Sequence, residues 1–70
     1  MSWYIETAVR IHIDDDPELL GKFVRWINER NDIQLIFDAV INGRNATFVT
    51  HRVHLAAVRN ALIDLSAEGA

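Results

Sequence analysis

The most chemically suggestive part of the sequence is HIDDDPELL, residues 12–20, where a histidine precedes three aspartates and a proline. Asp14, Asp15 and Asp16 could offer carboxylate oxygens to a hard cation such as Mg²⁺ or Ca²⁺. A calcium loop of the EF-hand type needs ligands at spaced positions and a glycine at its turn, and this stretch has neither. We therefore interpret the aspartates as a strand end and a helix cap, and expect no metal ion or other cofactor.

The three histidines are the other candidates for metal or proton chemistry. His51 and His54 are three positions apart, which on a helix would place them on one face. His12 could complete a zinc site with them, or act as a general base, only if the fold brought it near. The sequence contains no nucleophile constellation and no glycine-rich phosphate loop, so we predict that the protein is not an enzyme. A small oligomeric enzyme or ligand-binding protein, with its site between protomers, stays as a third hypothesis.

Composition indicates one small domain over residues 1–70 with limited means of stabilising itself. Half of the residues are hydrophobic, which is enough for a core, but a chain this short buries only about 60% of its unfolded surface. There is no cysteine, so disulfides cannot help, and we expect oligomerisation, with a dimer as the simplest form. We find neither a secretion signal nor an apolar stretch of about 20 residues, which favours a cytoplasmic protein without membrane contact.

Residues 3–13 show the clearest periodicity in the chain, with apolar and polar residues alternating at every second position. One face would carry Trp3, Ile5, Thr7, Val9, Ile11 and Ile13, and the other Tyr4, Glu6, Ala8, Arg10 and His12. Strict alternation over this length predicts one long strand with one buried face.

Two segments, residues 17–30 and 52–67, have apolar residues at helical spacing. Asp16 is a suitable N-cap for the first helix, since a proline follows it at the first helical position. Thr50 or His51 would cap the second helix, and the sequence does not distinguish them. The buried stripe of the second helix is predicted to be Leu55, Val58, Leu62 and Leu65, with Ala61 beside it.

The segment between the helices is predicted to be a hairpin. Asn42 and Gly43 suit a two-residue type I′ turn, which needs positive φ at both loop positions. That loop would place Phe37 opposite Phe48, and an aromatic pair in the middle of a sheet face marks that face as core.

The predicted fold class is α+β, with the order strand, helix, strand, strand, helix. A right-handed crossover makes the first two strands parallel and leaves room between them for the third, in the order 1-3-2. The result is a three-stranded mixed sheet with both helices on one face. This topology resembles a ferredoxin-like fold that lacks its last strand, and fold alone does not give function.

Two surfaces follow from this topology: the open edge of the first strand and the sheet face that no helix covers. That face would be part apolar and part polar, as protein–protein interfaces are. We therefore expect a non-enzymatic interaction module, a small regulator, adaptor or inhibitor of the kind that phages and mobile elements encode. The predicted contact residues, with a protein partner or in a homodimer, are Tyr4, Glu6, Ala8, Arg10, His12, Ile36, Val40 and Val49.

Nucleic-acid binding by a dimer is the second hypothesis. The basic residues are scattered and the net charge is -3, so only the combined charge of two chains would attract phosphates. Tyr4, Arg10 and His12 could imitate a single-strand RNA platform, but such platforms use two or three aromatic residues. Because Phe37 and Phe48 are predicted to face the helices, Tyr4 would be the only aromatic residue on the open face.

Overall fold

A computed structural model describes residues 2–7, 9–30 and 35–68 and shows an α+β fold with an antiparallel sheet and two α-helices. The elements are β1 (Trp3–Glu6), β2 (Arg10–Ile13), α1 (Pro17–Asn28), β3 (Ile36–Asn42), β4 (Asn45–Thr50), a 3-10 turn (Arg52–His54) and α2 (Leu55–Glu68).

The predicted long strand over residues 3–13 is wrong, because the chain folds back on itself and forms the β1–β2 hairpin. Thr7 has a φ of 59° at the bend, and Glu6 pairs with Arg10 beyond it. Paired residues in this hairpin are an even number of positions apart, so each face keeps its original set of residues across the turn. The alternation therefore predicted the faces correctly, but it could not reveal the turn.

Within the described residues the sheet has four strands in the order β1-β2-β4-β3, and every neighbouring pair is antiparallel. Since β2 and β3 both run against β4, they are parallel to each other, as the crossover through α1 requires. The prediction of three strands is wrong, and the ferredoxin-like resemblance is not confirmed. The expected open edge along residues 3–13 is wrong in part, because β1 covers β2; among the described strands, those at the edges are β1 and β3.

The β3–β4 turn lies one residue later than predicted. Asn42 pairs with Asn45, so the loop consists of Gly43 and Arg44. Only Gly43 has a positive φ in this loop, at 63°, which is the pattern of a type II′ turn with glycine first. The type I′ prediction is therefore wrong, although the glycine remains the residue that allows the reversal.

An irregularity between Ile36 and Asp38 changes which side chains of β3 face the helices. Ile36 pairs with Thr50 and packs against the core, although the sequence placed it on the open face. Phe37 is the extra residue, and half of its side chain is exposed. The predicted Phe37–Phe48 pair is therefore wrong: Phe48 lies opposite Ala39 instead. A bulge of this kind inserts one unpaired residue and reorients its neighbours.

The core lies between one face of the sheet and the two helices, as predicted. It contains Ile11, Ile13, Leu19, Phe23, Ala46, Phe48, Val58 and Leu62. Phe23 of α1 meets Phe48 edge to face, with ring centroids 5.0 Å apart. Full burial of each large apolar side chain contributes about 1.5–3 kcal/mol, and this term holds the helices on the sheet.

The three aspartates of HIDDDPELL lie between β2 and α1, as the sequence predicted, and also bond to other parts of the domain. The Asp14 N–H donates to the Ser2 carbonyl oxygen at 2.7 Å, and the Asp15 N–H donates to Asn45 Oδ1 at 2.8 Å. Asp16 caps α1: its carboxylate accepts from the Leu19 N–H at 3.0 Å and from the Ser2 hydroxyl at 2.6 Å. The Ser2 hydrogen bond, followed by that of Leu19, lowers the pKa of the Asp16 carboxyl below its usual 3.8.

We expect Asp16→Ala to lower the free energy of unfolding by about 1 kcal/mol at neutral pH, because two donors lose their acceptor. A depressed folded pKa means that the carboxylate stabilises the fold above its unfolded pKa and loses this effect as the pH falls through the folded value. The difference from the parent should therefore shrink in acid. Urea unfolding at neutral and acidic pH measures it, with Asp16→Asn as the control that keeps a capping oxygen. An unchanged difference in acid would contradict the role of the charge.

Candidate functional site on the open sheet face

The sheet face opposite the helices, here called the open face, carries two rows of side chains that run across the strands. The first row is Tyr4, His12, Thr47 and Val40, and the second is Glu6, Arg10, Val49 and Asp38. Alternate residues of β2 and β4 are buried in the core, so these residues point to the other side.

His12 is the centre of a hydrogen-bonded cluster on the open face. Its ring stacks on Tyr4, with centroids 4.7 Å apart and an angle of 17° between the planes. Nε2 lies 2.7 Å from Glu6 Oε1, and Nδ1 lies 3.1 Å from Thr47 Oγ1. The His12 side chain is only 17% exposed, so three neighbours fix its position although it lies at the surface.

The hydrogen bonds of His12 assign roles to both ring nitrogens. An ionised Glu6 can only accept, so Nε2 carries a proton, and neutral His12 accepts the Thr47 hydroxyl proton at Nδ1. A protonated ring could donate to Glu6 and to the Thr47 oxygen in the same geometry. The cluster is therefore satisfied in either charge state.

The chain from Thr47 through His12 to Glu6 contains the same three groups as a hydroxyl–imidazole–carboxylate triad. Acyl transfer also needs donors aimed at a developing oxyanion. The backbone N–H groups of β4 lie in the plane of the sheet and pair with β2 and β3, so they do not point at the Thr47 hydroxyl. The arrangement can therefore hold and orient an imidazole. The strand that carries the Thr47 hydroxyl, however, supplies no N–H donors for an oxyanion.

A second aromatic contact lies at the β3 side of the open face. Phe37 and His51 pack ring against ring, with centroids 4.7 Å apart. Further along β3, Val40 is 60% exposed. The sequence predicts Phe37 in the core, and no glycine or proline signals the bulge that exposes it. It placed Thr47 on this face without a role, because its bond to His12 depends on the strand register.

The eight predicted contact residues are distributed as follows. Tyr4, Glu6, Arg10, His12, Val40 and Val49 lie on the open face. Ile36 does not, since it packs against the core. Ala8 lies outside the described residues. The structure brings Tyr4, Glu6 and His12 into direct contact and adds Thr47 to them, while Phe37 contacts His51 instead.

The histidines do not assemble as a metal site would require. His51 stands at the N-cap position of the 3-10 turn without a side-chain capping bond, and its ring contacts Phe37. His54 belongs to the turn itself, so the two do not share a helix face. Over residues 2–7, 9–30 and 35–68, no group of three or more His, Asp or Glu side chains is placed to hold a metal ion.

Comparisons with known proteins provide no template for this site. No protein-family model, no curated protein and no solved structure matches the chain. In the part of the chain that the structure describes, neither helix combines the length and the apolar character needed to cross a membrane.

Proposed function

We propose that this protein is a non-enzymatic interaction module, a small regulator, adaptor or inhibitor, which binds a protein partner through its open face in the cytoplasm. One observation carries the proposal: three large apolar side chains are about half exposed or more on that face. These are Tyr4 at 49%, Phe37 at 51% and Val40 at 60%. Tyr4 lies on β1 and the other two lie on β3, at opposite edges of the sheet with polar side chains between them. A face that mixes apolar and polar side chains in this way is typical of a protein–protein interface.

The polar centre of the open face is compatible with burial under a partner. Covering a polar group is costly when its hydrogen bond to water has no replacement. His12, Glu6 and Thr47 already bond to one another, so a partner can cover them with little loss. Tyr4, stacked on His12, then offers a rigid aromatic surface of the kind that often dominates binding energy.

Arg10 indicates the chemistry of the partner. It is exposed in the second row between Glu6 and Val49. Within the described residues, no ion pair includes Arg10. Arginine is common at the energetic centres of interfaces, where it binds carboxylates through two hydrogen bonds. The partner surface that fits is apolar and carries a carboxylate opposite Arg10.

The double variant Val40→Lys with Val49→Lys tests this surface, because it places two charges on the open face without touching the hydrogen-bonded cluster. We expect it to retain the circular dichroism spectrum of the parent and to lose at least tenfold in affinity for a partner captured from the native host. Desolvating two lysines without partners would cost more than the 1.4 kcal/mol that corresponds to tenfold.

Ile41→Lys is the matched control for this experiment. Ile41 lies on the same strand and is 57% exposed, but it pairs with Ala46 on the side of the sheet that faces the helices. Its substitution should leave partner binding unchanged. If the open-face double variant binds as well as Ile41→Lys does, the partner uses a different surface.

Nucleic-acid binding remains a second candidate, supported by the position of Phe37. Tyr4 and Phe37 now flank the open face with His12 and Arg10 between them, so two aromatic rings are available for stacking on bases. Glu6, Asp38 and the net charge of -3 oppose phosphate binding, which is why this candidate ranks second. Absence of any anisotropy change with short single-stranded RNA or DNA at low salt would eliminate it.

A further inference from the structure

Helix α2 and the 3-10 turn before it expose a row of small and apolar side chains on the side away from the core. Val58, Ala61 and Leu62 are buried against the rest of the domain. A second row, here called the outer stripe, is exposed: Val53 of the 3-10 turn, followed by Ala56, Asn60, Ile63 and Ala67 of α2. Val53 is 83% exposed and Ile63 is 46% exposed, which are large values for branched aliphatic side chains.

The outer stripe follows the spacing of a helix pair. Its members are separated by three and four positions in turn, which is the a and d pattern of a coiled coil. At 100° per residue, the four members of the stripe within α2 lie opposite the buried row, so the domain itself does not obstruct them. Two alanines would allow a second helix to approach closely. Asn60 stands at an a position, where a single asparagine typically fixes the register of a pair.

The charges beside the outer stripe are complementary to those of a second copy of the helix in one orientation. Arg59 and Asp64 flank the stripe on opposite sides, at positions g and e, and both are exposed. In a parallel pair of helices, a g residue lies next to the e residue five positions later in the other helix. Arg59 of each copy would then face Asp64 of the other. An antiparallel pair would bring Arg59 towards Arg59 and Asp64 towards Asp64.

We propose that α2 forms the homodimer interface by pairing in parallel with the α2 of a second copy through the outer stripe. The proposed dimer interface does not depend on what the open face binds. No ion pair among the described residues already occupies Arg59 or Asp64. The stripe covers only about two heptads and its side chains are small, so the dimer dissociates on dilution.

Charge reversal tests the pairing. In the symmetric dimer, Arg59→Asp turns two attractive contacts into two repulsive ones, and so does Asp64→Arg. Each variant should weaken self-association about tenfold in sedimentation equilibrium. The double variant should recover it, and so should an equimolar mixture of the two single variants, since each then meets an opposite charge. Thermal unfolding of the variants at low protein concentration verifies that the domain is folded.

Two results would overturn the proposal. One is a parent protein that stays monomeric at every concentration tested. The other is a dimer that tolerates both charge reversals and is disrupted by Val40→Lys with Val49→Lys, which would place the second copy on the open face. A monomer that still binds a partner through the open face would reject the α2 dimer and leave the proposed function intact.

Discussion

Phe48→Ala is expected to lower the free energy of unfolding by about 3–5 kcal/mol, which is the usual cost of deleting a buried aromatic ring. Phe48 is 3% exposed and packs edge to face against Phe23 of α1. A domain of this length has a total stability of about 4–10 kcal/mol. The variant should therefore be unfolded or close to it at physiological temperature.

Phe37→Ala is the matched control, because it removes the same ring from the neighbouring strand. Phe37 is half exposed and contacts His51, so we expect its loss to cost only about 1 kcal/mol. Urea unfolding followed by circular dichroism measures both values. Equal losses would mean that Phe37 also lies in the core, as the sequence-based register predicted, and would contradict the bulge.

Thr50→Val is expected to cost about 1–3 kcal/mol, although valine has nearly the same shape as threonine. Thr50 is fully buried, and its hydroxyl donates to the Leu35 carbonyl oxygen at 2.6 Å. Leu35 is itself 3% exposed, so water does not readily replace the lost donor. The variant would leave a buried acceptor without this hydrogen bond.

Thr47→Val provides the comparison for Thr50→Val on the same strand. The Thr47 hydroxyl bonds to His12 on the open face, where water can take its place, so we expect a loss below about 1 kcal/mol. Thermal and urea unfolding of the two variants under identical conditions give the difference. A loss from Thr47→Val as large as that from Thr50→Val would show that burial does not determine the cost.

The hairpin at residues 3–13 shows what a periodic pattern can and cannot reveal. Burial alternates with the same period in one long strand and in a hairpin whose turn preserves it, so the core residues Ile11 and Ile13 were predictable. The turn was not, because Thr7 adopts a positive φ that β-branched residues rarely have. The conformational preference of threonine therefore predicts a backbone other than the one that residue 7 adopts.

The cluster around His12 depended on the same turn. In one extended strand, Tyr4 and His12 would be about 26 Å apart, at roughly 3.3 Å per residue. In the hairpin they are directly opposite each other and their rings stack. The sequence could therefore assign both residues to one face, but only the fold could make them neighbours.

Phe37 and the outer stripe of α2 escaped prediction for different reasons. The bulge beside Phe37 arises from pairing between β3 and β4, and no local residue preference specifies it. The outer stripe is visible in the sequence, but the buried stripe with Leu62 accounts for the helix on its own. The other members of the stripe are alanine and asparagine, which are ordinary on a solvated surface. Only the exposure of each side chain in the structure shows that they align with Val53 and Ile63.

The packing of both helices on a single side of the sheet determines what a dimer could do. A pair joined through α2 has its four layers in the order sheet, helices, helices, sheet. The two open faces then point in opposite directions, away from the symmetry axis. Such a dimer would not clamp one target molecule between its subunits; it would cross-link two, and its apparent affinity for a surface displaying many targets would depend on their spacing.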